Sequence, residues 1–293
     1  MNFGSVITAM ITPFDQSGKI NFTKALKFAQ YLLENGSDSL VISGTTGESP
    51  SLSFNEKLAL FTCIKEGTNR KGAIIAGTGS NDTQESIQLS SAAAKVGVDG
   101  LLLVVPYYNK PSQEGLYRHF KAIAESVNIP IMLYNIPSRT GCNLLPKTIQ
   151  RLAEIDNIVA IKESTGNMEQ VAELRKLTGE DFLIYSGDDS ATLPMLSLGA
   201  TGVVSVAAQL VGKSINQMID LFKSGYIREA LKIHLELFDL FKGIFITTNP
   251  VPIKTALNML GWDVGGFRLP LTETTEENRR FIQQLLKENK LLE

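Results

Sequence analysis

Two cysteines and two histidines in 293 residues leave little material for redox or metal chemistry. Cys63 and Cys142 make neither a disulfide framework nor a Cys-rich metal site. Cys63 lies in an apolar helical stretch and is expected to serve as a small buried hydrophobe. His119 and His234 provide no His-rich metal constellation and argue against a His-based catalytic triad. There is no excess of basic residues: 28 Lys and Arg against 30 Asp and Glu give a net charge of −2. A nucleic acid as the main partner would demand a basic face, so none is expected. No apolar run approaches the roughly 18 residues that a membrane span needs. The opening segment MNFGSVITAMITPF lacks a basic leader region, so no signal peptide is expected and the reading is cytoplasmic.

What the chain does have is length and a repeated pattern. It has room for two ordinary domains of ~150 residues, or for one α/β barrel of ~250 residues with an addition. Eight short runs rich in Val, Ile and Leu occur at Ser5–Phe14, Ser39–Ser43, Ala73–Ala76, Gly100–Val105, Pro130–Asn135, Ile158–Lys162, Phe182–Ser186 and Gly202–Val206. Such runs fit parallel strands buried on both faces. Helical patterns separate them. Asn21–Asn35 carries apolar residues at the helical spacing: Ala25, Leu26, Phe28, Ala29, Leu32 and Leu33. Ser53 with Glu56, Asp82 with Glu85, and Thr274 with Glu277 match capping boxes. Gly36, Gly97, Gly179 and Gly199 stand where helices need left-handed C-caps.

Eight strand–helix units predict a closed (β/α)8 TIM barrel over residues 1–224. An open doubly wound sheet is the alternative, but no G-x-G-x-x-G follows the first run. Three helical stretches without intervening strands, Ile227–Ile244, Val251–Leu260 and Thr275–Asn289, predict a C-terminal helical appendage over residues 225–293.

In such a barrel the chemistry gathers at the carboxyl ends of the strands. Lys162 interrupts the run Ile158-Val159-Ala160-Ile161. With a period of two it shares a face with Ala160, while Val159 and Ile161 are expected to face the helices. That turns Lys162 into the barrel mouth, where desolvation favours a neutral, nucleophilic amine suited to a Schiff base with a carbonyl substrate. A lysine snorkelling outward or paired with Glu163 is the plainer alternative. Tyr134, at the end of the neighbouring strand, can relay protons, or merely pack.

The turn Gly44-Thr45-Thr46-Gly47-Glu48-Ser49 can gather amides and hydroxyls into an anion nest, and Gly77–Asn81 is a second Gly-rich turn. Neither carries the Lys-Ser/Thr of a nucleotide P-loop. Arg139 suits bidentate carboxylate binding, or a surface ion pair. Asp188 and Asp189 lack companions for a metal site and read as a helix N-cap and a supporting group. Glu48 and Glu163 read as orienting groups. Tyr107 and Tyr108, adjacent aromatics on a loop, suggest a subunit interface.

The segments GTTGES at 44–49, PYYNKPSQEGLYRHF at 106–120, YNIPSRTG at 134–141, IKES at 161–164, SGDD at 186–189 and GVVSV at 202–206 together extend over almost the whole chain. With them the sequence resembles the dihydrodipicolinate synthase / N-acetylneuraminate lyase family of class I, pyruvate-dependent barrels. Arg139 is similar to the synthase branch. The resemblance implies condensation of pyruvate with L-aspartate 4-semialdehyde in diaminopimelate and lysine synthesis, with no metal and no organic cofactor.

It implies an imine on Lys162 and a proton relay of Tyr134, Thr45 and Tyr108, the last reaching in from a second subunit. It implies substrate contacts at Thr46, Arg139, Gly187 and Val204, and a homotetramer of tight dimers. An effector site for lysine would match Ser49, Pro50, Phe54, Lys57, Gly79, Asn81, Glu85 and Tyr107. Phe54 and Lys57 depart there from the histidines common in lysine-inhibited relatives, which predicts weak or absent feedback. A sibling aldolase cleaving a 2-keto-3-deoxy acid, and a non-catalytic keto-acid-binding barrel, are the competing readings.

Overall fold

The computed structural model describes residues 3–68 and 71–293. Met1 and Asn2, part of the segment read for a leader, lie outside them. Eight parallel strands close into a barrel in sequence order: β1 Val6–Ala9, β2 Ser39–Ile42, β3 Ala73–Gly77, β4 Gly100–Val104, β5 Ile131–Asn135, β6 Ile158–Glu163, β7 Leu183–Ser186 and β8 Gly202–Ser205. The ring is completed by β8 pairing with β1, Val203 opposite Val6. The helices are α1 Phe22–Glu34, α2 Phe54–Gly67, α3 Thr83–Val96, α4 Gln113–Ala124, α5 Pro137–Thr140, α6 Pro146–Ala153, α7 Met168–Thr178, α8 Thr192–Ser197, α9 Ala208–Lys223, α10 Ile227–Gly243, α11 Val251–Met259 and α12 Glu276–Glu288. The expected (β/α)8 barrel followed by helices is therefore what the chain forms. None of the helices among the described residues is long and apolar enough to cross a membrane.

Alternation along the strands builds two cores. Ile7, Val41, Ile75, Leu102, Met132, Ala160, Tyr185 and Val204 point inward and fill the barrel. Val6, Leu40, Ile74, Leu101, Ile131, Ile161 and Val203 point outward and pack under the helices. One expectation fails here. A register shift lies between Ile131 and Met132, which pair with Ile158 and Ala160 respectively, so Val159 is the unpaired extra residue. Such a bulge resets the alternation. Val159 packs against the barrel-interior cluster instead of the helices, while Ala160 and Ile161 keep the expected faces.

The helix ends follow local chemistry. Ser53 and Glu56 form the complete capping box of α2. Asp82 caps α3 by accepting from the Glu85 amide, but the Glu85 carboxylate takes the Ser80 hydroxyl instead of closing the box. At α12 the cap is Thr275, accepting from the Asn278 amide, and not Thr274. The neighbouring Thr274 hydroxyl is buried and finds no partner among the described residues. The first run shortens to Val6–Ala9, with Phe14 in an isolated antiparallel bridge to Ile20. Cys63 is half-buried, its thiol 3.7 Å from the Phe22 carbonyl.

The helices after α9 are fastened back onto the barrel. Leu240, Phe241, Ile253, Leu257 and Leu285 join the same outer core as the barrel helices. The Trp262 ring packs against Phe28 and Tyr31 of α1, with centroids 4.8 and 4.7 Å away. Apolar area taken from water stabilises by roughly 25 cal/mol per Å², so this contact of partly buried rings fastens the segment after α11 to α1.

Candidate active site

Lys162 ends β6 inside the barrel, 6% exposed. Its register partner on β5 is Tyr134, and the Lys162 Nζ stands 4.2 Å from the Tyr134 ring centroid. It makes no ion pair among the described residues. Outward snorkelling and pairing with Glu163 are both excluded by this geometry. Glu163 occupies the opposite face of the strand. There it accepts from the Asn135 side chain at 3.0 Å, the Thr165 amide at 2.7 Å and the Gln170 side chain at 3.4 Å. Burial pushes its pKa up, and these hydrogen bonds pull the other way. Glu163 thus braces the ends of β5 and β6, consistent with an orienting group.

Gly187 explains how a long side chain fits there. A Cβ at this position would lie 2.9 Å from Lys162 Cε and 3.0 Å from Cγ, and would overlap the Ser164 hydroxyl. Only glycine lets the lysine extend past the end of β7. Val204 lines the barrel interior below, fully buried. Asp189 accepts from the Ser205 hydroxyl and from the Val206 and Ala207 amides at 3.1 and 3.0 Å. Burial raises its pKa. Its oxygens are committed to the turn after β8, which makes it a supporting group, while Asp188 caps the short turn that follows by accepting from the Ser190 amide.

The Gly44–Ser49 turn differs in detail from a simple nest. The amides of Gly47, Glu48 and Ser49 bond back to the carbonyls of Gly44 and Thr45. That leaves the Thr45 and Thr46 amides without an acceptor among the described residues, so these two, with their hydroxyls, are the groups of the turn that are open to an anion. Gly77 is needed beneath it, since a Cβ would overlap the Ser43 carbonyl.

Thr45, Tyr134 and Arg139 line one cavity of ≈ 340 Å³. Arg139 is exposed, with no ion pair among the described residues, and donates to the Asn249 carbonyl at 3.4 Å. Ser49, Pro50, Lys57, Gly79, Glu85 and Tyr107 line the same cavity. Phe54, 41% exposed, and Asn81 stand outside this lining; the Asn81 carbonyl accepts from the Asn109 side chain at 2.9 Å. Tyr108 is 89% exposed, on a residue with φ of 74°. It does not join the others within one chain.

Two contributors escaped the sequence reading. Lys254 on α11 donates to Glu48 at 2.9 Å and to the Thr12 carbonyl at 3.2 Å, and lies over the Phe14 ring. Asn249 donates to the Thr46 hydroxyl at 2.9 Å. Both come from beyond the barrel, and no motif signalled them.

The model of the dihydrodipicolinate synthetase family matches residues 2–289. The chain belongs to that family. It is 57% identical over 293 residues to the 4-hydroxy-tetrahydrodipicolinate synthase of Desulforamulus reducens, covering 100% of this chain and 99% of the relative. It is 57% identical over 292 residues to the synthase of Desulforudis audaxviator, with coverage of 100% and 99%. Among solved structures, DHDPS from Cyanidioschyzon merolae with lysine bound superimposes with a TM-score of 0.98 at 48% identity, covering 99% of each chain. Dihydrodipicolinate synthase from Aquifex aeolicus gives 0.97 at 46%, again over 99% of both.

Proposed function

We propose that this chain condenses pyruvate with L-aspartate 4-semialdehyde, the reaction of 4-hydroxy-tetrahydrodipicolinate synthase. The Lys162 amine adds to the pyruvate carbonyl and water leaves, giving an imine. Loss of a proton from the pyruvate methyl gives an enamine. The enamine carbon attacks the semialdehyde carbonyl, forming the new C–C bond. The substrate amine then attacks the imine carbon, closing the ring and releasing the Lys162 amine. No metal and no organic cofactor takes part in these steps.

The observation that carries this reading is a lysine buried in a barrel mouth, 4.2 Å from a tyrosine ring and without an acidic partner among the described residues. Tyr134 and Thr45 move protons around the imine carbon. Thr46 holds the pyruvate carboxylate together with the open amides of the turn, and Gly187 and Val204 bound the imine pocket through their backbones. Arg139 takes the semialdehyde carboxylate by paired N–H donors.

Tyr108 completes the relay from a second copy of the chain, which agrees with an aromatic left 89% exposed by the described residues of its own chain. A homotetramer of tight dimers is the assembly we propose. The outward stripe Ile227, Leu231, Leu235 and Phe238 on α10 supports a second contact between copies. The compartment of this biosynthetic step is the cytoplasm.

Borohydride reduction in the presence of pyruvate, followed by mass spectrometry, tests the central step. An adduct on Lys162 is expected, and it disappears in Lys162→Ala. If wild-type protein traps no pyruvate, the reading is wrong. Turnover with aspartate semialdehyde, set against a 2-keto-3-deoxy sugar acid, separates the synthase from a sibling aldolase.

A further inference from the structure

We infer that Asn249 is a positioning residue of this site, setting the direction of the Thr46 hydroxyl so that its proton points to the substrate carboxylate. This rests on the proposed pyruvate seat. Asn249 sits between α10 and α11 and is 6% exposed. Its side-chain Nδ2 donates to Thr46 Oγ1 at 2.9 Å. Its main-chain carbonyl accepts from Arg139 Nη2 at 3.4 Å. One residue thereby touches the groups assigned to both substrates.

A threonine hydroxyl has one proton and two lone pairs. The Asn249 amide occupies a lone pair, and the hydroxyl donates to no acceptor among the described residues. Its proton is thus left for an anion in the turn. A hydroxyl prearranged as a donor needs no reorientation when a carboxylate arrives, which is the condition for effective electrostatic stabilisation.

Two further observations fit a residue held for position. The Asn249 Oδ1 is buried with no partner among the described residues. Native cores seldom leave such an acceptor unmet, so the amide is kept for what its other end does. In addition, α11 is pinned to the same turn a second time, by Lys254 on Glu48 at 2.9 Å. The ion pair fixes the helix, and the helix presents Asn249 to Thr46.

The test reads the pyruvate concentration that half-saturates borohydride trapping on Lys162, which needs no second substrate. In Asn249→Ala the hydroxyl turns freely, and half-saturation is expected to rise about fivefold. In Asn249→Asp the side chain becomes an acceptor that captures the Thr46 proton and opposes the carboxylate, and the rise is expected to exceed about tenfold. In Thr46→Val the effect of Asn249→Ala is expected to vanish, because the hydroxyl it directs is gone. A role confined to folding would instead persist in that background and would lower the melting temperature in step. Asn249→Ser repeats the comparison should the alanine variant not fold.

The inference is overturned if wild type traps pyruvate and Asn249→Ala leaves half-saturation within twofold, or if its effect is undiminished in Thr46→Val. Absence of trapping in the wild type overturns the proposed function itself, and this inference with it.

Discussion

Lys254 and Glu48 form an ion pair of 2.9 Å with both side chains shut off from water, at 0% and 1% exposure. Burial pushes the Lys254 pKa down and the Glu48 carboxylate opposes that shift. Taking two charges out of water is costly, so such a pair stabilises little in total; removing one partner is what does damage. The pair joins α11 to the turn that carries Thr45 and Thr46. Lys254→Met is therefore expected to cost ~3–5 kcal/mol in chemical denaturation, since it strands a buried carboxylate. The double variant Lys254→Met with Glu48→Gln is expected to recover part of that loss.

Tyr134→Phe keeps the ring over Lys162 and removes only the hydroxyl. If the phenol relays protons, kcat falls by roughly 10²–10⁴-fold while the melting temperature stays near that of the wild type. Steady-state rates beside a thermal melt check this. An unchanged kcat would assign Tyr134 to packing.

Gly187→Ala places a Cβ 2.9 Å from Lys162 Cε. The same Cβ overlaps the Ser164 hydroxyl, so the serine and the lysine beside it must both shift. Overpacking of this kind costs ~1–3 kcal/mol, and a lysine displaced from its position forms the imine slowly. The rate of borohydride trapping with pyruvate is expected to fall at least about tenfold.

His119 is buried, with Nδ1 2.9 Å from the Thr83 hydroxyl, and desolvation lowers its pKa from 6.5 to about 4. A depressed value means the unfolded chain takes up the proton first. The associated stability is complete above pH 6.5 and is lost progressively as pH falls toward about 4. Denaturation free energies across that window should decline by at most one proton's worth, about 1.4 kcal/mol per pH unit. His119→Gln is expected to flatten this part of the profile.

L-Lysine is expected to inhibit weakly or not at all. Lys57 lines the cavity with Glu85, and burial pushes its pKa down while Glu85 opposes the shift. A cationic side chain there repels the ammonium of a bound amino acid. A lysine titration of the initial rate should be flat, and Lys57→Ala should tighten lysine binding by roughly tenfold. Tight, cooperative inhibition of the unsubstituted protein would contradict this.

The barrel and the two residues at its centre were legible from the chain alone. Eight runs rich in Val, Ile and Leu, separated by helical patterns, define parallel strands, and eight such units close. Period-two alternation turned Lys162 inward and placed Tyr134 beside it, because strand geometry is a local property. The same rule misplaced Val159, since a bulge depends on how β6 registers against β5. The cap at Thr275 instead of Thr274 is a one-residue choice made by how α12 docks.

What only the tertiary structure decided are the contacts between distant segments. Glu48 meets Lys254 across 206 residues, and Thr46 meets Asn249 across 203. Neither pair has a periodicity or spacing to betray it. The sequence by itself determined which residues stand at the strand ends, because backbone alternation and helix caps act over a few residues. Which side chain braces which, and which hydroxyl is left with a proton to give, was decided by packing α11 against the barrel mouth, where most buried polar groups take a partner from whatever segment lies across from them.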